Sequence, residues 1–220
     1  MAFEMDFETC EEAVRQHDPD RFFAALFAPE AKRGHLFALT ALYYELAHAA
    51  AATREPMLRE IRLMWWRETV AMARKGKARD HAVAQALADT LAAHDLPETW
   101  FEAMIAARGR EAFTGAADAE EHADATVGSL MRLWARVLGE DIDVRDAAIA
   151  YGLAGRVFNS FNAADLAREH FEAARRIRYS RAILPAVLPA ALVPLYLKRS
   201  EPPLWRKQIA LFGSALRGRL

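Results

Sequence analysis

The sequence predicts an all-α protein, a single-domain bundle of about nine or ten helices with an isoprenoid-synthase-like fold. Alanine is abundant, and apolar residues recur at helical spacing along almost the whole chain. No stretch shows the period-two alternation of a strand, and no linker is long enough to separate domains. The 220 residues, 53% hydrophobic and 27% charged, fit one globular domain over 1–220. We treat 1–17 as an N-terminal extension and 181–220 as basic C-terminal helices.

Prolines and glycines divide the chain into its helices. Asp18 is a suitable N-cap, and Pro19 suits the first position of the second helix. Further breaks are expected at Pro29, before Pro56 and at Gly139. The predicted helices are 7–17, 19–27, 31–52, 57–76, 82–94, 97–114, 117–138, 144–162, 165–178 and 204–216, with an apolar segment over 182–197 between the last two.

The apolar run AILPAVLPAALVPLYL over 182–197 is the one segment that resembles a membrane span. Its sixteen residues fall short of the ~20 that a spanning helix needs, and it contains three prolines. We therefore predict a core helix or a kinked surface hairpin. Four basic residues follow the run, Lys198, Arg199, Arg206 and Lys207, so contact with a membrane surface stays open.

The charge of the chain is unevenly distributed. The net charge is -1, but 181–220 carries seven Lys/Arg and one acid, a net +6. The remaining residues carry 22 bases and 29 acids, a net -7. The basic segment could contact an anionic membrane or an acidic partner, or it could be a solvated helix end. The balance gives no reason to expect a nucleic-acid partner.

Cysteine usage and the N-terminus indicate a cytoplasmic protein. Cys10 is the single cysteine, so neither an intrachain disulfide nor a cysteine-based zinc site can form within one chain. The opening residues MAFEMDFETCEEAVRQ lack the basic and apolar regions of a leader peptide. We expect a cytoplasmic location, with peripheral attachment to the inner membrane left open.

The sequence contains no familiar nucleophile or phosphate-binding motif, and its seven histidines are scattered. Two acid pairs have the i, i+4 spacing of magnesium ligands, Glu120 with Asp124 and Asp165 with Glu169. The same spacing is common on solvated helix faces. Glu120 is also expected in the first turn of a helix, where negative charge is favoured.

Five stretches in order resemble the squalene/phytoene synthase family. They are DPDRFFAALFAPEAKRGHLFALTALYYELA, EPMLREIRLMWWRETV, HADATVGSLMRLWARVLG, AIAYGLAGRVFNSF, and LPAALVPLYLKR followed by PPLWRKQIALFGSALRGRL. The similarity runs from about Asp18 through nearly the whole chain. Active members of the family join two prenyl diphosphates head to head, with Mg²⁺ held by two aspartate-rich motifs that face one central cavity.

This chain departs from the family pattern at both acidic motifs. Residues 49–52 are all alanine where the first motif is expected, with only Glu45 and Glu55 nearby. The second motif should follow AYGLAGRVFNSFN but is absent, the G-R-x-Y-L-P segment is missing, and the chain is shorter than usual. Because ionisation of a diphosphate needs cations against its developing charge, loss of both motifs implies a non-catalytic member. The best-known branch of this kind is similar to assembly factors of respiratory complex I.

Three hypotheses follow. The first is a non-catalytic protein that needs no cofactor and acts through a protein partner or a lipid surface. The second is a Mg²⁺-dependent prenyltransferase whose reorganised ligands, Asp165, Glu169 and Glu45, share one cavity. The third is isoprenoid or lipid binding without chemistry, in an apolar cavity lined by Phe37, Tyr44 and Phe158.

Arginines are the candidates for binding a phosphate. Arg62 and Arg67 are preferred, with Arg21 a weaker choice. Surface ion pairs with Glu55, Glu60 or Glu68 would explain the first two equally well. Trp65 and Trp66 point about 100° apart on a helix, so we expect them to pack in the core.

Overall fold

The computed structural model describes residues 2–110, 115–155, 162–199 and 201–220, with side chains from residue 6 onward. Regular structure in these ranges is entirely helical. The first half contains α1 (Ala2–His17), α2 (Pro19–Ala25), α3 (Glu30–Ala51), α4 (Pro56–Ala73), α5 (Ala82–Ala93) and α6 (Glu98–Arg108). The second half contains α7 (Ala116–Ala123), α8 (Ser129–Leu138), α9 (Arg145–Ala154), α10 (Ala163–Ala174), α11 (Leu184–Val187), α12 (Val193–Tyr196) and α13 (Leu204–Arg217).

The predicted helical pattern is confirmed, and the differences lie at boundaries. Where α7 runs into α8 and α11 into α12 through helical turns, the described residues form eleven continuous helices, against the nine or ten expected. Helix α10 ends at Ala174, four residues before the predicted end. Helix α6 ends at Arg108, and the predicted end at 114 lies outside the described residues. Helix α9 ends at Ala154, and Asn162, the predicted end of the helix over 144–162, is the N-cap residue of α10.

Helix α3 is the centre of the bundle. Its middle is fully buried, including Leu36, Phe37 and Leu42, and α1, α4, α5 and α8 pack around it. Helix α1 joins the same core through Cys10 and Val14, so the segment treated as an N-terminal extension is part of the bundle. Burial raises the pKa of the Cys10 thiol, helped by Asp6 and Glu45, to about 12, and the thiol stays neutral.

A π-helical turn over Asp124–Gly128 joins α7 to α8, inside what the sequence predicts as one regular helix. Asp124 at its start forms ion pairs with Arg132 at 2.5 Å and with Arg145 at 3.4 Å. A side chain at Gly128 would collide with the Asp124 carboxylate. The widened turn is therefore compatible with this ion-pair network because residue 128 has no side chain.

Of the two alternatives predicted for the proline-rich run, a core helix or a kinked surface hairpin, the structure agrees with the core segment, which a 3₁₀ turn interrupts. Helix α11, a 3₁₀ turn over Leu188–Leu192 and α12 follow one another directly, and nearly every residue from Ile183 to Val193 is buried. Among the described residues, no helix has the length and apolar character needed to cross a bilayer.

Candidate functional site

A cavity of about 550 Å³ opens where the start of α2 meets α3, α9 and the C-terminal segment. Four tyrosines and two ion pairs dominate its lining, which includes Tyr43, Tyr44, Tyr151, Tyr196, Asp18, Asp20, Arg21 and Lys207. We call it the tyrosine pocket. Its residues come from both ends of the chain, so the tertiary fold assembles it.

Asp18 and Arg21 form a buried pair at the start of α2. Asp18 Oδ1 accepts a hydrogen bond from the Arg21 backbone N–H at 3.0 Å, which caps the helix as the sequence predicts. Its Oδ2 accepts from Arg21 Nη1 at 2.5 Å. Arg21 is 5% exposed, and its Nη2 has no hydrogen-bond partner in the described part of the chain.

The Arg21 guanidinium lies over two tyrosine rings, 4.8 Å from the centre of Tyr43 and 5.2 Å from that of Tyr151. Burial by itself lowers the pKa of Arg21, but the charge of Asp18 and the adjacent phenols raise it above its usual range. Arg21 is therefore a permanent cation with one unused donor at the pocket wall.

Asp20 is held by three donors from distant helices. Its Oδ2 accepts hydrogen bonds from the Tyr151 hydroxyl at 2.9 Å and from the Tyr196 hydroxyl, and its Oδ1 accepts from Lys207 Nζ at 3.0 Å. Lys207 Nζ also donates to the Tyr196 oxygen at 2.6 Å. Burial, reinforced by the Asp20 charge, raises the pKa of both phenols, so both tyrosines remain protonated donors.

A second guanidinium lies behind Tyr43. Arg108 stacks on the Tyr43 ring at 4.6 Å, and its Nη2 has no hydrogen-bond partner among the described residues. Burial by itself would raise the pKa of Tyr43, but Arg108 and Arg21 together lower it. This end of the pocket is therefore a positive environment, suited to a negatively charged group.

Asp18 and Asp20 lie outside the two acidic motifs that the family resemblance implies, and their surroundings do not suit Mg²⁺ either. All four carboxylate oxygens of Asp18 and Asp20 already accept hydrogen bonds. A divalent cation there would lie beside Arg21 and Lys207, with unfavourable Coulomb energy in a buried setting. Within the described residues, no group of three His, Cys, Asp or Glu is arranged to hold a metal ion.

The structure does not bring the three predicted acidic ligands together. The Asp165 side chain is 75% exposed and pairs with Arg168 on the surface of α10, and Glu169 is exposed on the same helix. Glu45 on α3 lies close enough to Cys10 to influence its thiol. None of the three lines the tyrosine pocket.

The other predicted acidic pair is also divided between partners. Asp124 binds Arg132 and Arg145, whereas Glu120 lies 3.8 Å from His170. Asp146 Oδ1 accepts a hydrogen bond from the other ring nitrogen of His170, Nδ1, at 2.7 Å. These contacts tie α7, α9 and α10 together and give the pair a structural role.

Among the predicted phosphate-binding arginines, Arg21 was the weaker choice, and it lines the tyrosine pocket. Arg62 is exposed on α4. Arg67 pairs with Glu102 at 2.9 Å and with Glu60 at 3.7 Å, close to the surface ion pairs considered from the sequence. The sequence signal for Arg21 is the run Asp-Pro-Asp-Arg, which places two acids and a base at the start of a helix.

The apolar cavity of the third hypothesis has a different lining from the one predicted. Tyr44 lines the tyrosine pocket and donates from its hydroxyl to the His17 carbonyl. Phe37 is buried in the core, stacked on Phe22 at 5.7 Å. Phe158 lies outside the described residues.

The tryptophans are scaffold, as predicted. Trp66 is buried and Trp65 packs against the core. Their rings meet edge to face at 4.8 Å, and His81 contacts both.

Comparison with known proteins places the chain in a family. The family model for squalene/phytoene synthase matches residues 14–160. This chain belongs to the squalene/phytoene synthase family. A solved dehydrosqualene synthase in complex with ligand shares the fold of this family member, with a TM-score of 0.60 at 14% identity over 96% of this chain and 78% of that chain.

Two curated relatives of this family member are both called NADH dehydrogenase (ubiquinone) complex I, assembly factor 6, one from Bos taurus and one from Homo sapiens. Each is 27% identical over 150 residues, which is 66% of this chain. The match covers 45% of the length of each relative.

Proposed function

We propose that this chain is a non-catalytic squalene/phytoene synthase family protein that acts through a protein partner in the assembly of a respiratory complex. The carrying observation is the engagement of Asp18 and Asp20 by Arg21, Lys207 and two tyrosines. Carboxylates already paired with buried side-chain cations are poor magnesium ligands, because a metal ion would displace those cations and leave them unpaired. The names of the two curated relatives supply the role in complex I assembly.

We propose that the protein acts in the cytoplasm, at the surface of the inner membrane. A protein that helps to assemble a membrane complex has to meet its subunits there. The net +6 of residues 181–220 supports the placement because the surface of such a membrane is anionic. No cofactor is required by this role.

Deleting the gene in the organism that encodes it tests the proposal. We expect less assembled NADH dehydrogenase complex on native gels and restoration by the wild-type chain. A chain carrying Asp165→Asn and Glu169→Gln should restore assembly equally well, because the proposed role does not use those carboxylates. Unchanged assembly in the deletion strain would contradict the proposal.

Turnover separates this role from prenyl transfer. We expect no product from farnesyl or geranylgeranyl diphosphate with Mg²⁺, under conditions in which a dehydrosqualene synthase forms product. Mg²⁺-dependent product that disappears in the Asp165→Asn/Glu169→Gln chain would establish the prenyltransferase alternative instead.

A second candidate function is binding of an isoprenoid or lipid with an anionic head in the tyrosine pocket. The unpartnered Nη2 of Arg21 beside the tyrosine rings supports it. Farnesyl diphosphate should then raise the melting temperature at concentrations where farnesol does not. Equal shifts, or none, would count against an anion-selective pocket.

A further inference from the structure

Helix α13 exposes a continuous apolar stripe on its outer side. Trp205, Ile209, Phe212 and Leu216 are each 56% to 65% exposed. At 3.6 residues per turn these four positions fall within about 60° of the helix circumference. Phe27 at the end of α2 widens the stripe, with its ring 6.4 Å from that of Phe212. We call these five side chains the α13 face.

The opposite side of the same helix is fixed to the protein. Leu211 and Ser214 are buried, and Lys207 binds Asp20 at the tyrosine pocket. The helix is therefore anchored to the protein by its inner side, and the apolar stripe lies on the opposite, solvent-facing side. Exposed aromatic and aliphatic side chains in such a stripe are typical of an interaction surface.

The charges that helix α13 itself carries are all basic. Arg206 and Arg217 are both exposed and project from the same flank of the stripe, and Arg206 stacks on the Trp205 ring at 5.1 Å. Helix α13 contains no acidic residue, and the one acid in 181–220 is Glu201, before the helix begins. An apolar stripe with a tryptophan and flanking arginines is the pattern of a helix that lies in a membrane interface.

A second exposed stripe, on α4, has a different charge setting. Met57, Leu58, Ile61 and Met64 are exposed there, but charges of both signs, Arg59, Glu60 and Arg62, lie among them. The α4 stripe has similar apolar exposure without a basic surround. It therefore serves as the matched control for the α13 face.

We propose that the α13 face docks on an anionic lipid bilayer, with its five apolar side chains in the interface and Arg206 and Arg217 against the lipid headgroups. This proposal rests on the inner-membrane location in the proposed function and names the surface responsible. Apolar burial and headgroup attraction both contribute, so binding depends on lipid charge and on salt. Vesicle binding by the purified chain tests it without using complex assembly as a readout.

The full chain is sedimented with vesicles of phosphatidylcholine alone or with phosphatidylglycerol, at low and high salt. Wild type should bind the anionic vesicles at 0.1 M NaCl, at least tenfold more strongly than the neutral ones, and should release at 0.5 M. Ile209→Glu/Phe212→Glu should lower binding at least tenfold. Met57→Glu/Ile61→Glu on α4 should bind as wild type does.

Circular dichroism of each variant checks that a loss of binding is not a loss of fold. A second variant, Arg206→Gln/Arg217→Gln, removes the two charges and keeps the apolar side chains. That variant should bind anionic vesicles at least threefold more weakly. Wild type that binds no vesicles, or an Ile209→Glu/Phe212→Glu chain that binds normally, overturns the proposal. So does a wild-type dimer that this variant converts to monomer without any vesicle binding, since the face would then join two copies. None of these results bears on assembly in the deletion strain.

Discussion

Replacing Lys207 with methionine tests the ion pair that ties α13 to the tyrosine pocket. The change removes the cation but keeps a long apolar side chain. It leaves the Asp20 carboxylate, which is 4% exposed, with the hydroxyls of Tyr151 and Tyr196 as its donors. Removing one partner of a buried pair costs about 3–5 kcal/mol. Because two charge-assisted hydrogen bonds remain, we expect a loss of about 3 kcal/mol.

A double-mutant cycle isolates the interaction from other effects of each substitution. Asp20→Asn removes the negative charge and leaves Lys207 with the Tyr196 oxygen. When both changes are combined, neither charge is left unpaired, so the double variant should lose about 2 kcal/mol less than the sum of the single variants. Urea unfolding followed by circular dichroism measures each free energy, with an unchanged slope as the check on two-state behaviour.

The surface pair of Asp165 and Arg168 is the matched control. Its oxygen and nitrogen lie 2.5 Å apart on one exposed helix face, closer than the 3.0 Å of Lys207 and Asp20. The same cycle, Asp165→Asn with Arg168→Met, should give a coupling below about 0.5 kcal/mol because solvent screens the pair. Coupling at Asp20–Lys207 no larger than in this control would refute the structural role given to the buried pair.

Two further predictions concern packing and pH. Gly152→Val should destabilise the protein by about 2–4 kcal/mol in the same unfolding assay, because a Cβ there would lie 2.9 Å from the Ala123 Cβ. Gly115 has open space around it, so Gly115→Ala should cost under about 1 kcal/mol. Equal losses of stability in the two variants would contradict the packing argument. Burial, with His94 nearby, lowers the pKa of His35 to about 4, so the unfolded chain binds the proton more tightly and stability should fall as pH drops from 6.5 towards 4, by on the order of 1 kcal/mol for this partly exposed ring. His35→Gln should shrink the stability difference between pH 7 and pH 5, and an unchanged difference would assign the pH dependence to other groups.

The His35 prediction depends on a neutral ring held in one orientation. Thr90 Oγ1 uses its proton to donate to the Ala86 carbonyl at 2.8 Å. It can therefore only accept from His35, whose Nδ1 lies 3.1 Å away. His94 packs edge-on against the same ring at 4.7 Å, so a second proton on either imidazole would place positive charge in a confined space.

The helices were predictable because their signals are local. Apolar periodicity, the Asp18 cap and the prolines act within a few residues of each other, and the observed helices follow them. The π-helical turn over Asp124–Gly128 was not predictable in this way. Its first residue, Asp124, pairs with Arg132 and Arg145, and these contacts require α8 and α9 to be in place.

The candidate site depends even more on contacts between residues that are distant in the sequence. Asp20 shows the reason, because its donors Tyr151, Tyr196 and Lys207 lie 131, 176 and 187 residues further along the chain. Arg62 and Arg67 lie in a segment of the sequence in which charges and tryptophans are dense. On α4 those charges meet solvent and neighbouring acids instead.

The sequence by itself determined the all-α architecture, the family resemblance and the alanines over 49–52 where an acidic motif is expected. Each of these is written in consecutive residues, or in periodicities shorter than one helix. Only the tertiary structure decided that Asp18 and Asp20 are matched by cations, and that α13 turns Lys207 inward and Trp205 outward. Charge pairing and burial depend on which helices meet, and short-range pattern carries no information about contacts between distant segments.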